Sequence, residues 1–210
     1  MLEREFFARA TVDVARDLVG CVLEVDAGTS AHVSARVVEV EAYLGLGDPA
    51  SHAYRGPTPR AAIMFGEPGH LYVYFSYGVH HCANLVTESR GTAGAVLLRA
   101  ASVEAGEDTV RLRRGGAVPR EALLRGPGNL CRGLGISLLD NGLDVCSGDA
   151  RLSVSPPASR PRITVSRRVG ITAAADRALR FAWDGHAAVS APRPGREQAR
   201  RLVGTKKGTG

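Results

Sequence analysis

Val38-Glu39-Val40-Glu41-Ala42-Tyr43 and Leu71-Tyr72-Val73-Tyr74-Phe75-Ser76 change character at every residue. Successive side chains of a strand point to opposite faces, so this period predicts β-structure with two unlike faces. In the first stretch Val38, Val40 and Ala42 share one face, and Glu39, Glu41 and Tyr43 share the other. In the second, Tyr72 and Tyr74 oppose Leu71, Val73 and Phe75. Tyr77-Gly78 breaks the pattern and predicts a bend or tip.

Working outward, residues 21–25 read as a strand, turned at Asp26-Ala27-Gly28 into a second strand over 32–43. Residues 80–86 and 93–101 read as further strands. Thr11 is placed to cap a short helix through Val19, closed by Gly20. The small, Gly- and Pro-containing stretch 44–57 predicts a loop, and Thr58-Pro59 a short helix to Phe65. Helices are expected over 103–114 and 120–125, from Gly126-Pro127-Gly128 to Leu134-Gly135, and over 173–183. Strands are expected over 143–154 and 162–166, after a turn at Asp140-Asn141-Gly142. The reading is one α+β domain over 1–191, followed by a polar, basic tail over 192–210.

A chain of 210 residues, 44% hydrophobic and 23% charged, can bury a sizeable core as one domain. Its formal net charge of +6 favours a polyanionic partner such as nucleic acid. Only Lys206 and Lys207 are lysines, so the body of the chain offers none for a Schiff base. Cys21, Cys82, Cys131 and Cys146 form no CxxC pair and fit no common zinc spacing. His80-His81-Cys82 lies on one strand, where neighbours diverge, so no metal is expected. The N-terminus carries no secretory pattern and no apolar run approaches 18 residues. A reduced, cytoplasmic protein is the expectation.

All five tyrosines fall between Tyr43 and Tyr77, interleaved with Glu41 and His52 and followed by Asn84 and Arg99. An ordinary tyrosine-rich hairpin with one wet face carries the same pattern. A pocket that stacks on a flat ring also does. Aromatic faces attract a cationic alkylated purine, and a carboxylate beside the sugar carbon can take a proton from water.

The residues also agree, in order, with one family. The agreement runs through Val14-Ala15-Arg16-Asp17-Leu18-Val19-Gly20, Glu41-Ala42-Tyr43-Leu44-Gly45, Asp48, His52, Arg55-Gly56 and Thr58-Pro59-Arg60. It continues with Gly69-His70-Leu71-Tyr72-Val73-Tyr74, Tyr77-Gly78, Asn84 and Val96-Leu97-Leu98-Arg99-Ala100. Gly126-Pro127-Gly128-Asn129-Leu130-Cys131 and Arg168-Val169-Gly170-Ile171 complete it. Over residues 5 to 191 the chain resembles the alkyladenine (3-methyladenine, methylpurine) DNA glycosylases.

The resemblance implies a curved antiparallel sheet, open-barrel-like and similar to a formyltransferase C-terminal domain, with peripheral helices. It implies base excision repair of duplex DNA by base flipping. The substrates would be purines of the 3-methyladenine, 7-methylguanine, hypoxanthine and ethenoadenine class, with no cofactor. Glu41 looks like the general base and Arg99 like the residue that places the water. Tyr43, His52 and Tyr74 resemble the stacking walls, and Tyr77 the wedge that fills the vacated stack. Asn84 resembles the residue that disfavours the guanine amine, and Val169 and Gly170 the backbone lining. Missing core lysines fit a monofunctional enzyme without lyase activity. Two departures stand out: Leu179 precedes Arg180-Phe181 where the family often has tryptophan, and the loop after Tyr54 is shortened.

Two rival readings use the same residues. One is a noncatalytic nucleic-acid-binding module of the same fold, which would not need Glu41. The other is a glycoside hydrolase using Glu39 and Glu41, roughly 7 Å apart on one strand face, although carboxylates from one strand cannot easily flank a bond.

Overall fold

A computed structural model describes residues 1–76 and 78–190. Its centre is the pairing of two twelve-residue antiparallel strands, β2 (Val33–Leu44) and β5 (Gly94–Ala105). β5 continues into β4 (His80–Val86) and β3 (Leu71–Ser76). On its other side β2 divides its partners. Residues 33–36 pair with β1 (Val22–Val25), which leads to β6 (Leu152–Ser155). Glu39, Val40 and Glu41 pair with β8 (Arg180–Trp183), which leads to β7 (Ile163–Ser166). The result is a curled, eight-stranded antiparallel half-barrel in an α+β domain.

The curl begins at irregularities in β2, where the register with β5 shifts on both sides of Glu39. A bulge bends a strand and re-aims side chains. It also changes the phase of alternation: Val37, Val40 and Ala42 enter the main core, while Val38 packs with Ala100 and Ala188. The expectation that Val38 shares a face with Val40 and Ala42 therefore fails at the bulge. Glu39 and Glu41 do remain on one side, both meeting Arg99.

One sheet face carries the core of Leu71, Val73, Leu85, Val96 and Leu98. It is covered by α1 (Thr11–Leu18), which buries Val14, Ala15 and Leu18, and by α3 (Pro127–Leu134), which buries Leu130, Cys131 and Leu134. Each fully buried leucine contributes about 1.5–3 kcal/mol. The opposite face is covered by the 44–68 segment, through Ala53, Ala61 and Met64 against Tyr72 and Ala95.

Several local expectations give way to long-range contacts. Thr11 is the first residue of its helix, not its cap, and the distant Glu88 carboxylate accepts from its backbone amide and its hydroxyl, both at 2.7 Å. Residues 103–105 complete β5, and the helix begins only after Gly106, as α2 (Glu107–Arg114). Of 58–65 only a 3₁₀ turn at Ala62–Phe65 is helical, and of 120–125 only Arg120–Ala122. Of 143–154 only the first three residues of β6 (Leu152–Ser155) are strand; Asp144 ties the earlier part down by bonding Arg4 and the Cys146 amide. Residues 172–177 are turns, and Arg180–Trp183 is strand rather than helix, its Phe181 buried in the core. The expected tail, 192–210, lies outside the described residues.

Candidate active site

Glu41 and Tyr43 leave β2 on the same side, and the Tyr43 hydroxyl donates to Glu41 Oε2 at 2.9 Å. From a loop far along the chain, the Val169 amide donates to Oε1 at 2.7 Å. Arg99, on β5, brings Nη1 to 3.3 Å from the same oxygen. Glu41 has no exposed surface. Burial pushes its carboxyl above the ordinary range, and the Arg99 charge with the two hydrogen bonds only partly offsets this.

Tyr43, Arg99 and Val169 all line a cavity of about 960 Å³, so the carboxylate lies directly behind its wall. His52, Tyr72 and Tyr74 also line it. The His52 ring stands edge-on to Tyr74 at 4.6 Å between centroids, and its Nδ1 lies 2.9 Å from the Tyr72 hydroxyl. Burial, then the charge of Arg60, holds His52 down at about 4, so the imidazole is neutral at neutral pH. Asn84 is fixed by donation from Nδ2 to the Tyr72 carbonyl at 3.0 Å. Gly170 lines the cavity with a left-handed backbone, φ +78°, which favours glycine. Eight of the expected positions (Glu41, Arg99, Tyr43, His52, Tyr74, Asn84, Val169 and Gly170) thus converge on one place. Tyr77 lies outside the described residues. Its neighbours Ser76 and Val79 line the cavity; Val79 is largely exposed and Phe75 about half exposed.

Other contributors pair in ways that no local pattern in the sequence records. Asp48 and Arg168 form a bidentate ion pair, at 2.5 and 2.8 Å, without solvent exposure. The Arg168 guanidinium also lies 4.6 Å from the centre of the Tyr43 ring. Arg168 is not among the cavity-lining residues, so it backs one face of that ring. Glu39 is not a second open carboxylate: Arg99, Arg180 and Ser190 occupy its oxygens. Among the described residues, no three His, Cys, Asp or Glu gather as a metal group.

The family model described as methylpurine-DNA glycosylase matches residues 5–187. The chain belongs to that family. A Mycobacterium sp. (strain KMS) relative is 46% identical, with 92% of this chain and 94% of the relative covered. A Methanoculleus marisnigri relative is also 46% identical, over 90% and 98%. One from Carboxydothermus hydrogenoformans is 44% identical, over 86% and 94%. All three carry the name "Putative 3-methyladenine DNA glycosylase". The family match spans every residue placed around the cavity except Ser190. No helix among the described residues is long and apolar enough to cross a membrane.

Proposed function

We propose that this methylpurine-DNA glycosylase family member is a monofunctional enzyme that flips a damaged purine out of duplex DNA and releases it by water attack at the sugar C1′. The substrate class is 3-methyladenine, 7-methylguanine, hypoxanthine and ethenoadenine. One observation carries the reading: a buried carboxylate, Glu41, oriented by three groups, directly behind an aromatic-walled cavity.

In this reading the flipped base stacks between Tyr43, His52 and Tyr74, which supplies on the order of 1–3 kcal/mol per stacked base. A neutral His52 does not repel a cationic methylpurine. With Nδ1 engaged by Tyr72, its Nε2 is left to meet the base. Asn84, held in place by the Tyr72 carbonyl, disfavours the guanine amine. Tyr77 fills the vacated stack. Glu41 accepts a proton from water as the oxygen attacks C1′. The N-glycosidic bond breaks with its electron pair going to the base, and the carboxylate charge stabilises the oxocarbenium-like transition state. Arg99 places the water. A cationic base leaves neutral, whereas hypoxanthine must gain a proton to leave well. Water as nucleophile leaves an intact abasic strand, in keeping with a chain whose only lysines are Lys206 and Lys207. Action as a monomer in the cytoplasm, at the nucleoid, belongs to the same proposal.

The test is single-turnover base release from duplexes holding one hypoxanthine or one methylpurine, with wild type and Glu41→Gln, resolved with and without alkali. Release by wild type only, with strand breaks only after alkali, is expected. Tight binding by wild type without release from any lesion would instead favour a noncatalytic nucleic-acid-binding module.

A further inference from the structure

Beside Glu41 lies a second carboxylate that the proposed chemistry leaves unused. Glu39 has no exposed surface, yet it is fully partnered. Its Oε1 accepts from Arg99 Nε at 2.9 Å, from Arg180 Nε at 2.6 Å and from the Ser190 hydroxyl at 2.8 Å. Its Oε2 accepts from the Ser190 amide at 2.6 Å. Arg180 reaches on to the Ser190 carbonyl at 2.6 Å and the Ser166 hydroxyl at 3.2 Å. Arg99 Nη2 lies 3.3 Å from the Ser190 hydroxyl. The β-bulge sits at this residue, where the sheet takes its second partner, β8.

Two consequences follow from this geometry. Arg99 is held by its Nε and Nη2, so its remaining nitrogen, Nη1, is presented to Glu41 beside the cavity. The segment ending at Ser190 is drawn against the pocket, where Ser190 forms part of the lining. A buried charge left without its partners would be strongly unfavourable, so the carboxylate and its two arginines stand or fall together.

We propose that Glu39 is a positioning residue for base release, fixing the Arg99 guanidinium against Glu41 and closing Ser190 onto the pocket. The inference rests on the glycosylase reading, because it acts through Glu41 and Arg99. It adds a charge effect that simple scaffolding would lack. The charged and titratable groups around Glu41 are Arg99 on β5, Glu39 and Tyr43 on β2, Arg180 on β8, and Arg168 in the loop before Val169. Glu39 is the negative one. It makes Glu41 harder to ionise and more basic once ionised, against the pull of Arg99. Removing that charge while keeping the shape leaves Glu41 facing the arginines alone, and so a weaker base.

The experiment is single-turnover release of hypoxanthine and of a methylpurine from duplex DNA between pH 4.5 and 8. It uses wild type, Glu39→Gln, Glu39→Asp and Ser190→Ala, with lesion-duplex affinity and melting temperature measured alongside. Glu39→Gln is expected to lower the plateau rate at least tenfold, change affinity less than threefold, and move the acid limb to lower pH. Glu39→Asp, which keeps the charge, should leave the acid limb in place and recover part of the rate. Ser190→Ala keeps both carboxylates and serves if Glu39→Gln fails to fold. It should slow release three- to tenfold with the acid limb unmoved. A folded Glu39→Gln with wild-type rate and limb overturns the inference alone, as does an unchanged Ser190→Ala rate. A wild type that releases no base overturns the glycosylase reading and this inference with it.

Discussion

At Glu41 the demands of folding and of the proposed chemistry pull in opposite directions. The carboxyl binds its proton more tightly folded than unfolded, because burial lifts it above its ordinary 4.5. Between those two values the folded state holds more protons, so stability falls as pH rises through that window. At neutral pH the ionised Glu41 therefore works against the fold. Glu41→Gln should leave the melting temperature at pH 7 unchanged or raise it. It should also slow base release at least about a hundredfold, the usual size of a lost general base. Thermal melts and single-turnover rates on one preparation check both. The acid limb of wild type should lie above pH 4.5, clear of His52 at about 4. The Tyr43 hydroxyl bond helps hold Glu41 down, so Tyr43→Phe should move that limb to higher pH while lesion affinity stays within threefold. A limb that moved the other way would remove the hydroxyl from this role.

At the scale of elements, the β2–β5 pair depends on a turn into α2 that only glycine fits. Gly106 sits at φ +77°, and a Cβ there would stand 2.2 Å from the His32 carbonyl oxygen. Gly106→Ala should therefore cost about 1–3 kcal/mol, read as a lower denaturant midpoint at unchanged slope. The same element shows what the sequence could convey. Residues 71–76 and 32–43 were legible because alternation is a local signal. The rest of the β5 strand was not: Val103, Ser102 and Ala105 pair with Ala35, Arg36 and Ser34, 66 to 71 positions away, and no local pattern records that. Ala173-Ala174-Ala175 suggests a helix on propensity, yet Arg180 is drawn into a strand by Glu39, whose position lies 141 residues earlier. Glu41 and Tyr43 were readable as neighbours because two residues on one strand must share a face. The Asp48–Arg168 clamp behind them joins positions 120 apart; both residues stand in the quoted family runs, but no local pattern records their pairing.

At the scale of the whole molecule, that clamp links the loop after β2 to the loop before β8. Neither side chain is exposed. Asp48→Asn should cost about 3–5 kcal/mol by leaving Arg168 buried without its countercharge, measured by chemical denaturation. Burial raises the Asp48 carboxyl, but the Arg168 hydrogen bonds and charge outweigh it and hold the group below its ordinary 3.8. Its contribution is therefore present above that value and lost as pH falls through the folded one. The formal charge of +6 acts over the same scale. Undamaged-duplex affinity should fall linearly in log–log terms with salt, by about 0.9 per phosphate contacted. A flat salt response would argue against DNA as the partner.

Ser190, bonded to Glu39 and lying on the cavity wall, is the last of the described residues to join this arrangement. A ribosome makes Glu39, Glu41 and Tyr43 first, Arg99 some sixty residues after Glu39, and Ser190 some ninety residues after that. Until it emerges, the buried carboxylate and its arginines have no closure. A nascent or prematurely released chain would carry the proposed base, Glu41, without the frame that aims it. Under the proposed function, competence to release a base would then arrive only once Ser190 is made, some ninety residues after Arg99.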